Sequence, residues 1–251
     1  MNKEDSFPLV KMENISKSFG KISALKNVDF SVNPREIVGL LGDNGAGKTT
    51  LVKTLVGIHS PNEGTIYFDG KKISFSSPRE ARDMGIETVY QDLALVELMS
   101  ISRNFFLGRE PTKLGALRVL DVRKMDEICK KVLTEIGIRV RSTNEPVSHL
   151  SGGERQSIAI SRAMHFGAKL LILDEPTAAL SVKEVNKVLD YVREVREHGL
   201  SVIFITHNVN HVYLVADRFT ILEHGKNLGD YRKEEVSAEQ VSQMIATGKP
   251  L

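Results

Sequence analysis

Apolar residues recur along this chain in two rhythms, and the alternation between them predicts the architecture. Four short runs, Glu36-Ile37-Val38-Gly39-Leu40-Leu41, Thr65-Ile66-Tyr67-Phe68, Leu170-Leu171-Ile172-Leu173 and Val202-Ile203-Phe204-Ile205, are β-branched or apolar and read as strands. Several are apolar throughout, as expected of a sheet covered on both faces. Between them, Lys48 to Val56, Arg123 to Ile136, Glu154 to His165, Val182 to Arg196 and Ala238 to Ile245 space their apolar residues as helices do, with charges between. Leu9 to Ser16 and Lys26 to Val32 read as strands bounded by turns, which predicts a small antiparallel layer ahead of the first parallel strand. From about Leu93 to His149 the strand pattern fades, and Gly108, Pro111, Gly115 and Pro146 punctuate the segment. The expectation is one α/β domain: residues 1–92 and 151–251 form the core, and 93–150 form an inserted, mainly helical subdomain.

Composition narrows the setting. The chain has 251 residues, 41% hydrophobic and 26% charged, enough to bury a full core. Its 34 basic and 32 acidic residues nearly cancel to +2, so no global charge favours nucleic acid or an anionic membrane surface. Cys129, the single cysteine, cannot form an internal disulfide. The opening residues MNKEDSFPLV lack the apolar core of a secretion signal, and no apolar run approaches the ~20 residues of a membrane span. The chain therefore reads as cytosolic, and any work at a membrane needs another chain to hold it there.

The candidate chemistry lies at strand ends. Gly42-Asp43-Asn44-Gly45-Ala46-Gly47-Lys48-Thr49 fits the pattern G-x-x-x-x-G-K-[ST], follows a buried strand and precedes a helix, and Thr50 just after it is a further candidate for the nucleotide. Glycines there let successive N–H groups face phosphate oxygens, with the helix N-terminus behind them. Lys48 is the candidate for the β- and γ-phosphates and Thr49 for Mg²⁺. Leu170 to Leu173 then deliver Asp174 and Glu175 at a strand's C-terminal end, where open α/β sheets bind ligands. Asp174 suits the Mg²⁺ shell and Glu175 the general base that polarises water. Leu150-Ser151-Gly152-Gly153-Glu154-Arg155-Gln156 reads as a capped helix start, with Ser151 as cap and Glu154 closing a capping box.

This last motif, twenty residues before Asp174 and behind the phosphate loop, resembles the signature of ABC ATPases. Phe19 before Gly20, Gln91, and His207 after Val202 to Thr206 stand where that family has further elements, and the resemblance spans roughly Leu9 to Leu222. It implies a phosphate-loop NTPase core of ABC type, with ATP and Mg²⁺ as ligands. Phe19 would stack on adenine, and Gln91 would sense Mg²⁺ and the attacking water. His207 would contact the γ-phosphate, and Ser151, Gly152 and Gly153 would close over nucleotide held by a second subunit. After Pro176 to Leu180 the family usually has Asp where this chain has Ser181, which alters the polar contacts expected across the dimer interface.

Tyr90 to Leu95 with Phe106 to Pro111 look like ATPases of ribose-, xylose- or fructose-type importers. That implies multispan permease subunits, a periplasmic or extracellular substrate-binding protein, and pairing with a second copy at the cytoplasmic face of the plasma membrane. No nucleic-acid partner is expected. Two competitors stay open: an ABC ATPase for another cargo, such as a branched amino acid or lipid, and a soluble ABC protein acting on DNA or ribosomes. The single set of motifs and the near-neutral charge weigh against the second.

Overall fold

The computed structural model describes residues 7–113, 119–135, 137–138 and 140–251. Gly115 and Ile136, a punctuation residue and a helix end in the expectations above, lie outside that set, as do residues 1–6. The chain begins with an antiparallel pair, β1 (Val10–Phe19) and β2 (Ile22–Val32), then β3 (Ile37–Leu41) and α1 (Lys48–Leu55). β4 (Glu63–Phe68), β5 (Lys71–Ile73), α2 (Pro78–Asp83) and β6 (Ile86–Val89) follow. Next come α3 (Ile101–Phe105), β7 (Thr112–Lys113), β8 (Val119–Leu120), α4 (Val122–Glu135) and α5 (Gly152–His165). The remainder alternates: β9 (Leu170–Asp174), α6 (Val182–Glu197), β10 (Ser201–Ile205), α7 (Val209–Tyr213), β11 (Arg218–Glu223), β12 (Lys226–Arg232) and α8 (Ala238–Thr247).

The expected α/β architecture is present. β2-β1-β4-β5 form the antiparallel layer, and β12-β11-β3-β10-β9-β6 form a six-stranded sheet, parallel except for the edge strand β12. Side-chain alternation explains why the central strands are apolar at every position. On β9 and β10, Leu171, Leu173, Val202 and Phe204 pack into one buried cluster with Ala159, Val185, Leu189 and Val212 of the flanking helices. Their neighbours Leu170, Ile172, Ile203 and Ile205 face the other way, onto Leu51 and Leu55 of α1 and onto Val10, Met12 and Leu25 of the antiparallel layer.

Between Gln91 and Ser151 the described residues hold α3 and α4, a 3-10 turn at Val147–His149, and a third buried cluster built on Ile101, Phe105, Met125, Cys129, Leu133, Val147 and Ile158. One departure from the sequence expectation lies here: β7 and β8 pair as a two-residue antiparallel ribbon. Four residues are too few for a period-two pattern to register, and the ribbon is held by its ladder rather than by burial.

The two sheets are tied by one half-buried cation. Arg218 on β11 donates to Glu36 (Nε–Oε1 2.9 Å), to Asp230 on β12 (2.7 and 2.6 Å) and to the carbonyl of Ser31 on β2 (2.7 Å). Burial works against its charge, but its hydrogen bonds to the Glu36 and Asp230 carboxylates outweigh burial and raise its pKa. Arg218→Ala leaves two carboxylates clustered without their cation, and it is expected to cost about 3–5 kcal/mol, the usual penalty for breaking a buried pair from one side. A urea titration of both proteins measures this, with the midpoint falling and the slope unchanged.

Candidate functional site

β3 ends at Leu41 and the chain turns sharply through residues 42–47 before α1 begins. Gly42 has φ +143°, and a Cβ there would lie 2.3 Å from the carbonyl oxygen of Leu222, so no side chain fits. Gly47 is the N-cap of α1 in a left-handed conformation (φ 108°) and carries no side-chain cap, which leaves the first-turn N–H groups available to an anion. The turn between β11 and β12 clamps the loop: Gly225 N–H donates to Ala46 (3.0 Å) and Lys26 N–H to Gly225 (2.7 Å). Lys48 is folded beneath, its ammonium donating to the carbonyls of Gly42 (2.7 Å) and Asp43 (3.0 Å). Burial lowers its pKa, against the opposing pull of Glu175, Asp43 and Asp174.

The neighbouring strands bring the acids and the histidine. β9 lies between β10 and β6, so Asp174 is delivered at the same edge as the phosphate loop. Burial, and then the adjacent Glu175, push the pKa of Asp174 upward, while Lys48 and Lys53 pull it back. Glu175 sits at φ +50°, a left-handed conformation unusual for a residue with a side chain. Its backbone is pinned there by Glu175 N–H donating to Ile205 (2.9 Å). Its carboxylate is gripped by β10's end: the Thr206 hydroxyl donates to Oε2 (2.9 Å), the His207 N–H donates to Oε1 (3.1 Å), and His207 Nδ1 lies 2.8 Å from Oε1. Thr206 is fully buried, whereas the His207 ring is 68% exposed.

These pieces enclose an open cleft of about 440 Å³. Asn44, Gly45, Ala46, Gly47, Lys48, Thr49 and Thr50 line one side, and Gln91, Asp174, Glu175 and His207 the other. Ala24 of β2, Ala178 and Ile205 line it as well, apolar residues that the sequence does not mark as site candidates. Gly42 lies under the loop rather than on the wall. Phe19 is not a wall residue: it sits at the end of β1, 45% exposed, with its ring edge-on to His59 at 5.0 Å and Lys17 over its face at 5.3 Å. Gln91 is followed by two residues at positive φ, Leu93 (57°) and Ala94 (46°). Buried Asn104 of α3 staples this segment, accepting from Val96 N–H (2.7 Å) and donating to the carbonyls of Val96, Met99 and Ser100.

Ser151, Gly152 and Gly153 do not reach that cleft. They begin α5, where Ser151 and Glu154 form the expected capping box: Glu154 N–H to Ser151 Oγ at 3.3 Å, and Ser151 N–H to Glu154 Oε2 at 2.9 Å. The two glycines admit the next loop, since a Cβ on Gly152 would meet Leu180 at 2.7 Å and one on Gly153 would meet Glu184 at 3.1 Å. Ser181 caps α6 in place of the usual Asp. Its N–H and hydroxyl both donate to Glu184 Oε2 (3.0 and 2.7 Å), and the other oxygen of Glu184 accepts from Gly153 N–H (3.3 Å). Ser181, Gly153 and Ser151 lower the pKa of that carboxylate. A carboxylate thus remains at this corner, supplied three residues later.

The family described as ABC transporter matches residues 25–178, more than half of the chain. The chain belongs to the ABC transporter family. It is an ATP-hydrolysing cassette of that family, and its fold agrees. An ATP-binding cassette of an ABC transporter superposes with TM-score 0.83 at 25% identity, covering 96% of this chain and 98% of the other. A dimeric cassette in a post-hydrolysis state with ADP and Pi superposes at 0.74 and 26%, covering 89% and 98%. Among curated relatives, the cassette is 46% identical over 239 residues to the xylose/arabinose import ATP-binding protein of Sulfolobus acidocaldarius, covering 95% of this chain and 94% of the relative. It is 45% identical over 226 residues to the fructose import ATP-binding protein of Rhizobium meliloti, covering 88% and 87%. A ribose import ATP-binding protein of Escherichia coli O157:H7 is 36% identical over 98% of this chain, which spans 48% of that relative.

Proposed function

We propose that this cassette powers import of a simple sugar, hydrolysing ATP in the cleft between the phosphate loop and Glu175 while a permease carries the cargo. The observation that supports the chemistry most is convergence: the ends of β3, β6, β9 and β10 bring an uncapped helix N-terminus, a lysine, two carboxylates, a glutamine and a histidine to one cleft of about 440 Å³. That volume suits a nucleotide held by its phosphates and open on one side. The sugar import ATP-binding proteins to which the chain is 36–46% identical support the cargo class.

In this reading the N–H groups of residues 45–50 cradle the phosphates, and Lys48 exchanges the carbonyls of Gly42 and Asp43 for β- and γ-phosphate oxygens. The Thr49 hydroxyl, the Asp174 carboxylate and the Gln91 amide are hard oxygen donors on the same walls, the donor set Mg²⁺ accepts when phosphates and water complete its shell. Held by these donors, Mg²⁺ would supply neutralisation of charge on the phosphates. Glu175, fixed by Thr206 and His207, draws a proton from water in line with the γ-phosphate, and His207 turns from the carboxylate toward the phosphate oxygens. Phe19, at the hairpin end, is the residue offered to the adenine face. Residues 93–150 act as a helical subdomain joined to the core through Gln91 and Ser151.

No helix among the described residues is long and apolar enough to cross a membrane, and in this reading the permease subunits hold the cassette at the membrane. The Gln91–Met99 segment, exposed at Val96 and Leu98 and stapled to α3 by Asn104, is the surface offered to them. Two measurements test the proposal. Vesicles holding the permease, its substrate-binding protein and this cassette should accumulate labelled xylose, ribose or fructose only with ATP, and uptake should cease with Lys48→Ala. Cysteines placed from Leu93 to Met99 should cross-link to a cytoplasmic permease loop. Uptake without hydrolysis, or cross-links only from the opposite face, would contradict the reading.

A further inference from the structure

The loop that follows Glu175 is strained at both ends and held from outside. Glu175 and Ala179 have φ of +50° and +57°, a conformation that residues with side chains adopt rarely and keep only where neighbours hold them. One support is the Glu175 N–H bonded to Ile205 (2.9 Å). The other is Thr177, which is buried, and whose hydroxyl lies 3.1 Å from Nδ1 of His211 on α7. His211 itself does not line the nucleotide cleft. Asn208 decides which of its ring nitrogens carries the proton. The Asn208 Oδ1 accepts the His211 N–H (3.3 Å), so its NH₂ is turned to the ring and lies 3.4 Å from Nε2. A donor facing Nε2 requires that nitrogen to accept, which leaves the proton on Nδ1, directed at the Thr177 hydroxyl. Burial lowers the pKa of His211 and so favours the neutral ring that this arrangement needs. Asn208 carries the line onward, because its N–H donates to the Thr206 hydroxyl (3.0 Å), which gives its own hydrogen to Oε2 of Glu175 (2.9 Å). Thr177, His211, Asn208, Thr206 and Glu175 thus form a circuit that leaves the chain and rejoins it two residues away.

We propose that His211 is a positioning residue for ATP hydrolysis: as the neutral ring protonated on Nδ1, it ties the loop after Glu175 to the strand end that orients the Glu175 carboxylate. This rests on the reading of Glu175 as the base. The tie matters most when His207 turns to the phosphate. The carboxylate then loses the His207 ring, now 2.8 Å away, and is oriented by the Thr206 hydroxyl and the His207 N–H alone. Thr206 has one hydrogen to give, and the Asn208 N–H at its oxygen keeps that hydrogen aimed at Glu175. Without His211, Asn208 loses a contact that fixes it and the strained loop loses its hold at Thr177. The base spends less time in line with water, whereas ATP affinity, set at the phosphate loop, is unaffected.

His211→Phe keeps the bulk of the ring and removes both nitrogens. Its kcat for ATP should fall about five- to tenfold, the order of one hydrogen bond, with KM unchanged. Thr177→Val, which removes the hydroxyl from the other side with little change of shape, should cost as much, and the two together no more than either alone. His211→Asn, whose amide can still donate where Nδ1 does, should recover most of the rate. NMR of nitrogen-labelled histidine should find the proton of wild-type His211 on Nδ1, whereas an unconstrained side chain carries it mainly on Nε2. Glu175→Gln separates positioning from packing: with no base left to position, adding His211→Phe should leave the residual single-turnover rate unchanged. A ring protonated on Nε2, a loss that appears in KM rather than kcat, or the same fold loss with and without Glu175 overturns the proposal. Near-normal turnover by Glu175→Gln faults the base assignment and the proposal with it, whereas a wild-type rate for His211→Phe faults the His211 tie alone.

Discussion

Glu175→Gln is expected to keep ATP bound and to lower phosphate release by about 10²–10⁴-fold, the usual worth of a positioned general base. The substitution is nearly isosteric, and the site can hold it. The side-chain oxygen of Gln can still accept from the Thr206 hydroxyl or the His207 N–H, which now lie 2.9 and 3.1 Å from the carboxylate, so the left-handed backbone at Glu175 has no reason to relax. What disappears is basicity toward water. Lys48→Ala should separate from it cleanly. Removing that ammonium deprives the phosphates of charge-assisted hydrogen bonds worth about 1.5–3 kcal/mol, and ATP affinity should drop by roughly 10- to 100-fold. Single-turnover release of labelled phosphate and equilibrium binding of a fluorescent ATP analogue distinguish the two. Near-normal release by Glu175→Gln would remove Glu175 from the role of base.

Much of this architecture is written in local sequence, and the reasons it is so are physical. The central strands are apolar at every position because helices cover one face and the antiparallel layer the other, as Leu171 and Ile172 show by entering opposite clusters. The phosphate loop is legible because backbone geometry dictates it: a side chain at Gly42 would strike Leu222. β12 is not legible. Its residues, Lys226 to Arg232, are mostly polar and half exposed on a sheet edge, and pairing with β11 makes them a strand. Phe19 fits the family order of motifs, yet a ring at a hairpin end leans on whatever lies beside it, here His59 and Lys17. Asn104 looks like any polar helix residue, and its four hydrogen bonds to one loop emerge only when α3 packs.

Two copies of Glu175→Gln should close around two ATP molecules, and Gly153→Asp added to that background should abolish the closure. The argument begins with what one subunit lacks. Its cleft has a phosphate loop, acids and His207 on its walls, but one side is open, and the second glycine-rich helix start, at Ser151 to Gly153, lies outside it. That second start is the N-terminus of a fourteen-residue helix, capped by Ser151, with Gly153 N–H donating to the Glu184 carboxylate, so an incoming γ-phosphate has to take that N–H over from Glu184. If it serves the partner's nucleotide, ATP makes contacts in the closed dimer that it cannot make in the monomer, and association follows its differential affinity. Blocked hydrolysis lets that state accumulate. An aspartate at Gly153 sets a carboxylate against the incoming γ-phosphate, but its Cβ also meets Glu184 at 3.1 Å. Gly153→Ala separates the two effects, since it makes the same contact without charge. Light scattering should find Glu175→Gln monomeric without nucleotide and dimeric with ATP. The added alanine should weaken that shift and the aspartate remove it, while Lys48-dependent ATP binding persists in both. Equal dimerisation with and without Gly153→Asp would show that the signature is no part of the site. Equal loss with alanine and aspartate would trace the effect to packing against Glu184 rather than to charge.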